Sequence, residues 1–252
     1  MRLDKYLAER FGSRTKAAAA ISEGRVYVNG KKVTPSYEYS EDEPLEITEA
    51  AESYVSAGGF KLAKAIKEFG FEAEGKIFAD VGASTGGFTD CLLKNGAKKI
   101  YCIDVGESQL DKSLLCDKVR VIDNFNARNL TSGIFEDKLD GAVIDVSFIS
   151  LTYILGAVGN VLDSGGSVLA LIKPQFECES RSVGKNGIVK DEKMHERVIS
   201  KICRFAADCS LMPQKITTAP IVRGKNIEYV ILLEKNAENF VNEKILIKSV
   251  KL

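Results

Sequence analysis

Three acidic residues follow successive apolar segments near the middle of the chain, and the first of them opens a glycine-rich turn. The turn reads Asp80-Val81-Gly82-Ala83-Ser84-Thr85-Gly86-Gly87-Phe88, and Asp104 and Asp123 end the next two apolar segments. Such a turn after a buried strand lets the backbone approach a nucleotide-like ligand closely. Phe88 and Ser84 rule out a Walker A loop and a G-x-G-x-x-G turn, respectively. An acid before the turn suits an uncharged or cationic ligand better than a pyrophosphate.

The other two acids have expected partners on the same ligand. Asp104 stands 22 residues after Gly82, about where a ribose-binding carboxylate is expected. Asp123, at the end of the third segment, is a plausible neighbour of an adenine amino group. The alternative is a glycine-rich turn with unrelated surface acids. Three acids at three successive strand ends favour the ligand.

Alternating apolar runs and helical spacings position these residues on an α/β fold. The pattern predicts a mostly parallel, seven-stranded, Rossmann-like sheet with helices on both faces. The predicted strands are Ile77–Val81, Lys99–Asp104, Val119–Asp123, Gly141–Asp145, Val168–Lys173, Lys215–Thr217 and Ile227–Leu233. The uncharged stretch from Val146 to Leu162 has helical spacing and is predicted to form one amphipathic helix rather than a membrane span.

The first fifty residues form a separate small α+β unit. Leu3, Leu7 and Phe11 predict a short helix, and Ser13 can cap a second one. The Asn29-Gly30 pair predicts a tight hairpin. We expect domain boundaries of 1–48 for this unit, 49–59 for a linker and 60–252 for the α/β domain.

Charge is distributed unevenly although the whole chain is neutral, with 35 basic and 35 acidic residues. Residues 1–35 carry a net charge of +5, and residues 36–52 contain seven acids and no base. A basic head of this kind indicates a partner of its own, although a solvated basic surface explains the charge equally well.

Cysteine and histidine usage favours a cytoplasmic protein without a metal site. Six cysteines show no C-x-x-C pair and no metal-ligand spacing, and the amino terminus lacks the apolar core of a signal peptide. The single histidine, His195, lies in a charged helical segment with no triad partner in view. A structural or surface role is therefore favoured over that of a general base.

The strand-end acids and the turn resemble those of class I methyltransferases, which use S-adenosylmethionine. Strand four ends Asp145-Val146-Ser147-Phe148 rather than Asn-Pro-Pro-Tyr, and strand five has no Pro-Cys nucleophile. Two lysines, Lys61 and Lys173, with Asp145 and Glu228, stand at element ends that the sheet could bring together. A lysine can activate a ribose hydroxyl if its pKa falls, and burial beside another cation lowers it. For an isolated lysine, a surface charge is the commoner explanation.

Longer motifs resemble the TlyA (haemolysin A) family of ribosomal RNA 2′-O-methyltransferases, which have an FtsJ-like domain. They include the 54–62 segment, Asp145–Ser150, Lys173–Glu177 and Asn226–Tyr229. The resemblance implies a catalytic tetrad of Lys61, Asp145, Lys173 and Glu228. It also implies that Asp80, Gly82, Ala83, Ser84, Thr85, Gly86, Gly87, Phe88, Asp104 and Asp123 bind the cofactor.

The amino-terminal unit resembles the alpha-L RNA-binding module of a small-subunit ribosomal protein. This implies RNA phosphate contacts by Arg2, Arg14, Lys16, Arg25, Lys31 and Lys32. Ala57 departs from the family, which commonly has arginine there.

The expected function is methyl transfer from S-adenosylmethionine to ribosomal RNA, with cytidine as the expected nucleoside and ribosomal subunits as the partners. The competing hypothesis is an RNA-binding protein that keeps the fold without useful activity, as the Ala57 departure would allow. A membrane-lytic haemolysin is a third hypothesis, which the missing span and signal disfavour.

Overall fold

In the computed structural model, which describes residues 1–22, 24–48 and 53–250, the chain divides into two units, Met1–Ser53 and Tyr54–Leu252. Four residues of the predicted 49–59 linker, 49–52, lie outside the described residues. The first helix of the larger unit begins at Ala57, inside that predicted linker.

The larger unit is built on seven strands and six α-helices among the described residues. The strands are β4 (Ile77–Val81), β5 (Lys99–Ile103), β6 (Val119–Ile122), β7 (Leu139–Ile144), β8 (Leu162–Ile172), β9 (Leu211–Thr218) and β10 (Tyr229–Lys235). The helices are α3 (Ala57–Phe69), α4 (Gly87–Lys94), α5 (Leu155–Asn160), α6 (Pro174–Glu177), α7 (Glu192–Asp208) and α8 (Glu243–Ser249).

The strand order of this sheet is β6-β5-β4-β7-β8-β10-β9. Strands β4 to β8 pair in parallel, whereas β10 runs antiparallel to both β8 and β9. The prediction of a mostly parallel seven-stranded sheet is therefore confirmed. Because β10 is reversed, its first residues lie at the same edge as the last residues of β7 and β8, so distant parts of the chain meet there.

Helices cover both faces of the sheet, and side chains alternate between two cores. Tyr229 and Ile231 of β10 join Val198 and Ile202 of α7 in one buried cluster. Val230, between them on the strand, belongs to the opposite cluster, which contains Leu62, Ala65 and Ile66 of α3. Alternate strand residues point to opposite faces, so α3 and α7 pack on opposite sides of β10.

The prediction of one helix from Val146 to Leu162 is wrong. The segment forms a 3-10 turn at Leu151–Tyr153 and then the six-residue helix α5, and Leu162 already begins β8. Phe148 has a φ of 62°, which no right-handed helix accommodates. The Ser150 hydroxyl caps the 3-10 turn by accepting a hydrogen bond from the Thr152 amide.

The amino-terminal unit consists of α1 (Leu3–Tyr6), α2 (Arg14–Ser22), β1 (Val26–Val28), β2 (Lys31–Lys32) and β3 (Leu45–Ile47). The three strands form an antiparallel sheet in the order β2-β1-β3. The hairpin forms as predicted, with positive φ at Asn29 and Gly30. The Ser13 hydroxyl accepts a hydrogen bond from the Lys16 amide, which confirms the predicted cap.

Candidate active site

Two lysine–carboxylate ion pairs lie at the edge of the sheet where β7 and β8 end and β10 begins. Asp145 follows β7, Lys173 follows β8, and Glu228 precedes β10. The Lys173 Nζ lies 2.6 Å from the Asp145 Oδ1, and the Lys61 Nζ of α3 lies 2.6 Å from the Glu228 Oε2. The fold thus brings together four side chains that the sequence separates by up to 167 positions.

A neutral side chain supports each ion pair. The Lys173 ammonium also donates to the Ser147 Oγ at 2.8 Å, and the Gln175 amide donates to the Glu228 Oε1 at 3.2 Å. We did not predict a role for either residue from the sequence. Both lie within two positions of a predicted tetrad residue, which is the signal that could have found them.

The Lys173 ammonium is the more buried of the two lysine head groups. Its side chain is 9% exposed, and the Phe176 ring centroid lies 5.9 Å from Nζ. An ammonium has three N–H donors; the hydrogen bond to Ser147 takes one, and Asp145 is held by the ion pair. A remaining N–H can donate to an oxygen in the adjoining cavity, which suits this group for orienting a hydroxyl.

The glycine-rich turn connects β4 to α4 and packs tightly against the Asp145 backbone. Gly82 has a φ of 82°, and a Cβ at this position would lie 2.7 Å from the Asp145 carbonyl oxygen. Only glycine combines this conformation with so close an approach. The turn is therefore adjacent to the ion pair of Asp145 and Lys173.

The Asp104 carboxylate holds this turn and the loop after β5. Its Oδ2 accepts a hydrogen bond from the Ser84 amide and its Oδ1 accepts one from the Gly106 amide, both at 2.8 Å. Each carboxylate oxygen can accept a further bond. Asp104 can therefore shape the loops and still bind a hydroxyl in the cavity.

Two neighbouring cavities open beside these loops. The larger, about 330 Å³, is bordered by Asp104 and by residues such as Ile103, Val105, Gln109, Phe125, Asn126, Val146, Ile149 and Ile154. The smaller, about 150 Å³, is bordered by Ser56, Gly58, Thr85, Phe88 and Lys173. Gly82, Ser84, Asp145 and Ser147 border both. The sequence did not single out the apolar walls of the larger cavity, since such residues look like ordinary core.

Seven of the ten predicted cofactor residues border these cavities: Gly82, Ala83, Ser84, Thr85, Gly87, Phe88 and Asp104. Gly86 instead lies against the Leu114 side chain. Asp123 accepts a hydrogen bond from the Ser108 amide and so shapes a loop.

Asp80 lies beneath the turn rather than beside the cavities. It is 0% exposed, and its Oδ2 accepts a 2.6 Å hydrogen bond from the Thr89 hydroxyl. Burial raises the pKa of Asp80 to about 7. From this position Asp80 can support the loop. Its carboxyl group does not border either cavity, so direct contact with a ligand there is not expected.

The basic residues of the amino-terminal unit lie mostly at its surface. Lys16, Lys31 and Lys32 are exposed. The Arg2 and Arg14 guanidiniums both donate to the buried Asp4, at 2.9 and 3.1 Å from its Oδ2. The guanidinium of Arg25 lies over the Phe11 ring at 5.6 Å. These contacts leave several cations available to a polyanion.

Within residues 1–22, 24–48 and 53–250, no helix has the length and apolar character needed to cross a bilayer.

Comparisons with known proteins agree with this architecture. Residues 54–235 match the FtsJ-like methyltransferase family, and residues 1–44 match the S4 domain family. Hemolysin A of Brachyspira hyodysenteriae is 42% identical, with 91% of this chain and 98% of that protein covered. The 16S/23S rRNA (cytidine-2′-O)-methyltransferase TlyA of Mycobacterium tuberculosis is 33% identical, with 96% and 93% covered.

A solved structure from Streptococcus thermophilus that bears a hemolysin name is 37% identical, with a TM-score of 0.75. The alignment covers 99% of this chain and 94% of that one. These matches extend over nearly the whole chain and over both units. The protein therefore belongs to the TlyA (hemolysin A) family of FtsJ-like methyltransferases that carry an amino-terminal S4 domain.

Proposed function

We propose that this protein transfers a methyl group from S-adenosylmethionine to a ribose 2′-hydroxyl of ribosomal RNA, with cytidine as the modified nucleoside. The observation that carries the proposal is the ion pair of the buried Lys173 with Asp145, beside the cavity under the glycine-rich turn. The name of the Mycobacterium tuberculosis relative supports the same reaction.

The chemistry of the cavity walls supports S-adenosylmethionine as the cofactor. The apolar walls of the larger cavity, including Ile103, Phe125 and Ile154, suit an adenine ring, and Asp104 suits the ribose hydroxyls. The smaller cavity, bordered by Ser84 and Thr85, would take the methionine part. When bound, S-adenosylmethionine supplies a methyl group on a sulfonium, which is a good leaving group.

The protein's own task is to prepare the ribose oxygen. A remaining N–H of Lys173 would orient the 2′-oxygen towards the methyl group, and the Asp145 carboxylate beside it would take up the hydroxyl proton. As the new carbon–oxygen bond forms, the bond between the methyl carbon and sulfur breaks. Lys61 and Glu228 add a second, nearly neutral pair at the same edge. Positioning of this kind accounts for much of the rate in bimolecular transfer.

RNA binding would come from exposed cations and aromatic faces. The six predicted arginines and lysines of the S4 domain would bind phosphates without reading the base sequence. Phe148, 90% exposed, lies 5.0 Å from the Phe176 ring, centroid to centroid, and follows Ser147 directly. Because bases stack on aromatic side chains, this pair supports an unstacked target nucleotide. With ribosomal subunits as substrates, the protein would act in the cytoplasm.

The test is transfer of labelled methyl from S-adenosylmethionine to ribosomal subunits that lack the modification, with naked RNA in parallel. We expect incorporation that protects one ribose from alkaline cleavage, and the labelled subunit would identify the substrate. Cofactor and RNA binding without incorporation would instead favour the inactive binding protein, and Ala57→Arg would then be the first variant to assay. Leakage from liposomes would support the haemolysin hypothesis.

A further inference from the structure

The single histidine of the chain is buried on the face of the sheet opposite Lys61. His195 of α7 is 4% exposed. Its Nδ1 lies 2.8 Å from the Tyr229 hydroxyl, and its Nε2 lies 2.9 Å from the Val189 carbonyl oxygen. The two rings meet edge to face, with centroids 5.7 Å apart. Both ring nitrogens therefore have a partner, and the side chain is buried rather than at the surface.

The partners determine which nitrogen carries the proton. A carbonyl oxygen can only accept, so the Nε2 donates to Val189. In the tautomer that satisfies both contacts, the Nδ1 accepts from the Tyr229 hydroxyl. Burial raises the pKa of Tyr229, which keeps that hydroxyl protonated and able to donate.

Tyr229 lies in the sheet next to two of the charged residues of the candidate site. It is the first residue of β10 and pairs with Ile172, the last residue of β8. Glu228 immediately precedes Tyr229, and Lys173 immediately follows Ile172. A bond that fixes Tyr229 therefore fixes the last paired residues from which both charged side chains extend.

A second set of bonds holds the other side of Glu228. The Asn226 side chain accepts a hydrogen bond from the Val189 amide and donates one to the Gly187 carbonyl. Val189 is the residue whose carbonyl binds His195. The 187–189 segment therefore binds Asn226 directly and binds Tyr229 through His195. Glu228 lies between these two residues in the chain, so it is held on both sides.

Building on the proposed function, we infer that His195 is a positioning residue for methyl transfer. Its contacts with Tyr229 and Val189 keep Glu228 in register with Lys61 and Lys173. Lys61 holds Glu228 from the α3 face, and His195 holds the adjacent Tyr229 from the α7 face. His195 is not among the residues that border either of the two cavities.

The experiment measures single-turnover methyl transfer to ribosomal RNA by the full chain, together with the dissociation constants of cofactor and RNA. His195→Phe keeps a ring but loses both bonds, and Tyr229→Phe loses one. We expect each to lower the transfer rate about tenfold, the effect of about one hydrogen bond, with both dissociation constants unchanged. His195→Asn retains an acceptor near the Nδ1 position and should restore part of the rate.

Two controls separate positioning from general stability. Val198→Ala removes a buried side chain one turn along α7 and should lower the melting temperature without slowing transfer at a temperature well below melting. In a Glu228→Gln background, His195→Phe should slow transfer by less than about twofold, because residues that act through one another are not additive.

Each outcome is decisive. Equal slowing by Val198→Ala at matched stability, or a full tenfold effect of His195→Phe in the Glu228→Gln background, would overturn the positioning role while leaving the proposed function intact. Absence of transfer by the parent protein would overturn the proposed function and this inference with it.

Discussion

The edge of the large sheet and the amino-terminal unit are both rich in cations, but they hold them differently. At the sheet edge, Lys61 and Lys173 each bind one carboxylate at 2.6 Å. In the amino-terminal unit, Lys31 and Lys32 lie exposed on β2. At the sheet edge each ammonium is held in place by a carboxylate, whereas the ammonium groups of β2 are exposed to solvent.

The difference follows from the dielectric around each group. A buried charge needs a partner in good geometry, because its desolvation is costly. Exposed charges are screened by salt and act collectively on a polyanion. Under the proposed function, the sheet edge would contribute geometry to the reaction, whereas the small unit would contribute affinity for RNA.

The largest effect is expected from Lys173→Ala. Removing the buried ammonium should lower the transfer rate by about a thousandfold or more, the scale of lost acid–base and orienting groups. Cofactor binding, measured by calorimetry, should persist. Lys138→Ala removes an exposed lysine of a surface ion pair and is the matched control. Normal turnover by Lys173→Ala would refute the assigned role.

A second prediction concerns the turn that adjoins the ion pair. Gly82→Ala would place a methyl group 2.7 Å from the Asp145 carbonyl oxygen at a φ of 82°. We expect a loss of about 1–3 kcal/mol in cofactor binding, or roughly 5- to 150-fold, from strain and displacement of Asp145. Gly133→Ala, with open space around it, should bind normally. Equal cofactor affinity for both variants would show that the turn does not form the cofactor site.

The exposed cations should behave in the opposite way. Replacing both Lys31 and Lys32 with alanine should weaken RNA binding by about fivefold at moderate salt and reduce the salt-dependence slope by about 1 to 2. The rate at saturating RNA should stay the same. A lower saturating rate with unchanged RNA affinity would contradict the division of roles.

The smallest effect is expected at Asp4, a buried carboxylate that pairs with the exposed Arg2 and Arg14. The hydrogen bond from Arg2 is the main cause that lowers the pKa of Asp4 to about 2, from an ordinary value of 3.8. Because the folded pKa is the lower one, its ion pairs stabilise the unit fully above about pH 4, and this stabilisation is lost as the pH falls towards 2.

Asp4→Asn should therefore weaken protection of the amino-terminal amides at pH 6 and flatten its dependence on pH between 4 and 2. Amide hydrogen exchange of the full chain, corrected for intrinsic rates, measures this, with β7 of the larger unit as the internal reference. An identical pH profile in parent and variant would show that the Asp4 ion pairs do not stabilise the folded unit.

Much of this protein was predictable from local patterns. Apolar runs placed the seven strands, and the Asn29-Gly30 pair placed the hairpin, because strand periodicity and positive-φ turns depend on neighbouring residues. The prediction of one helix from Val146 to Leu162 was wrong because it, too, used only neighbouring residues. Its apolar spacing fits a helix, whereas the local strain at Phe148 and the start of β8 at Leu162 depend on packing in the sheet.

The features of the candidate site also divide into those set by local sequence and those set by packing. Local sequence was enough to identify the acids at the strand ends and the glycine-rich turn, and family motifs assigned the four charged residues to one site. The pairing of each lysine with its carboxylate, the support from Ser147 and Gln175 and the burial of Asp80 came from the folded structure. These features depend on contacts between segments far apart in the chain, and burial and direction are properties of the packed sheet rather than of any local pattern.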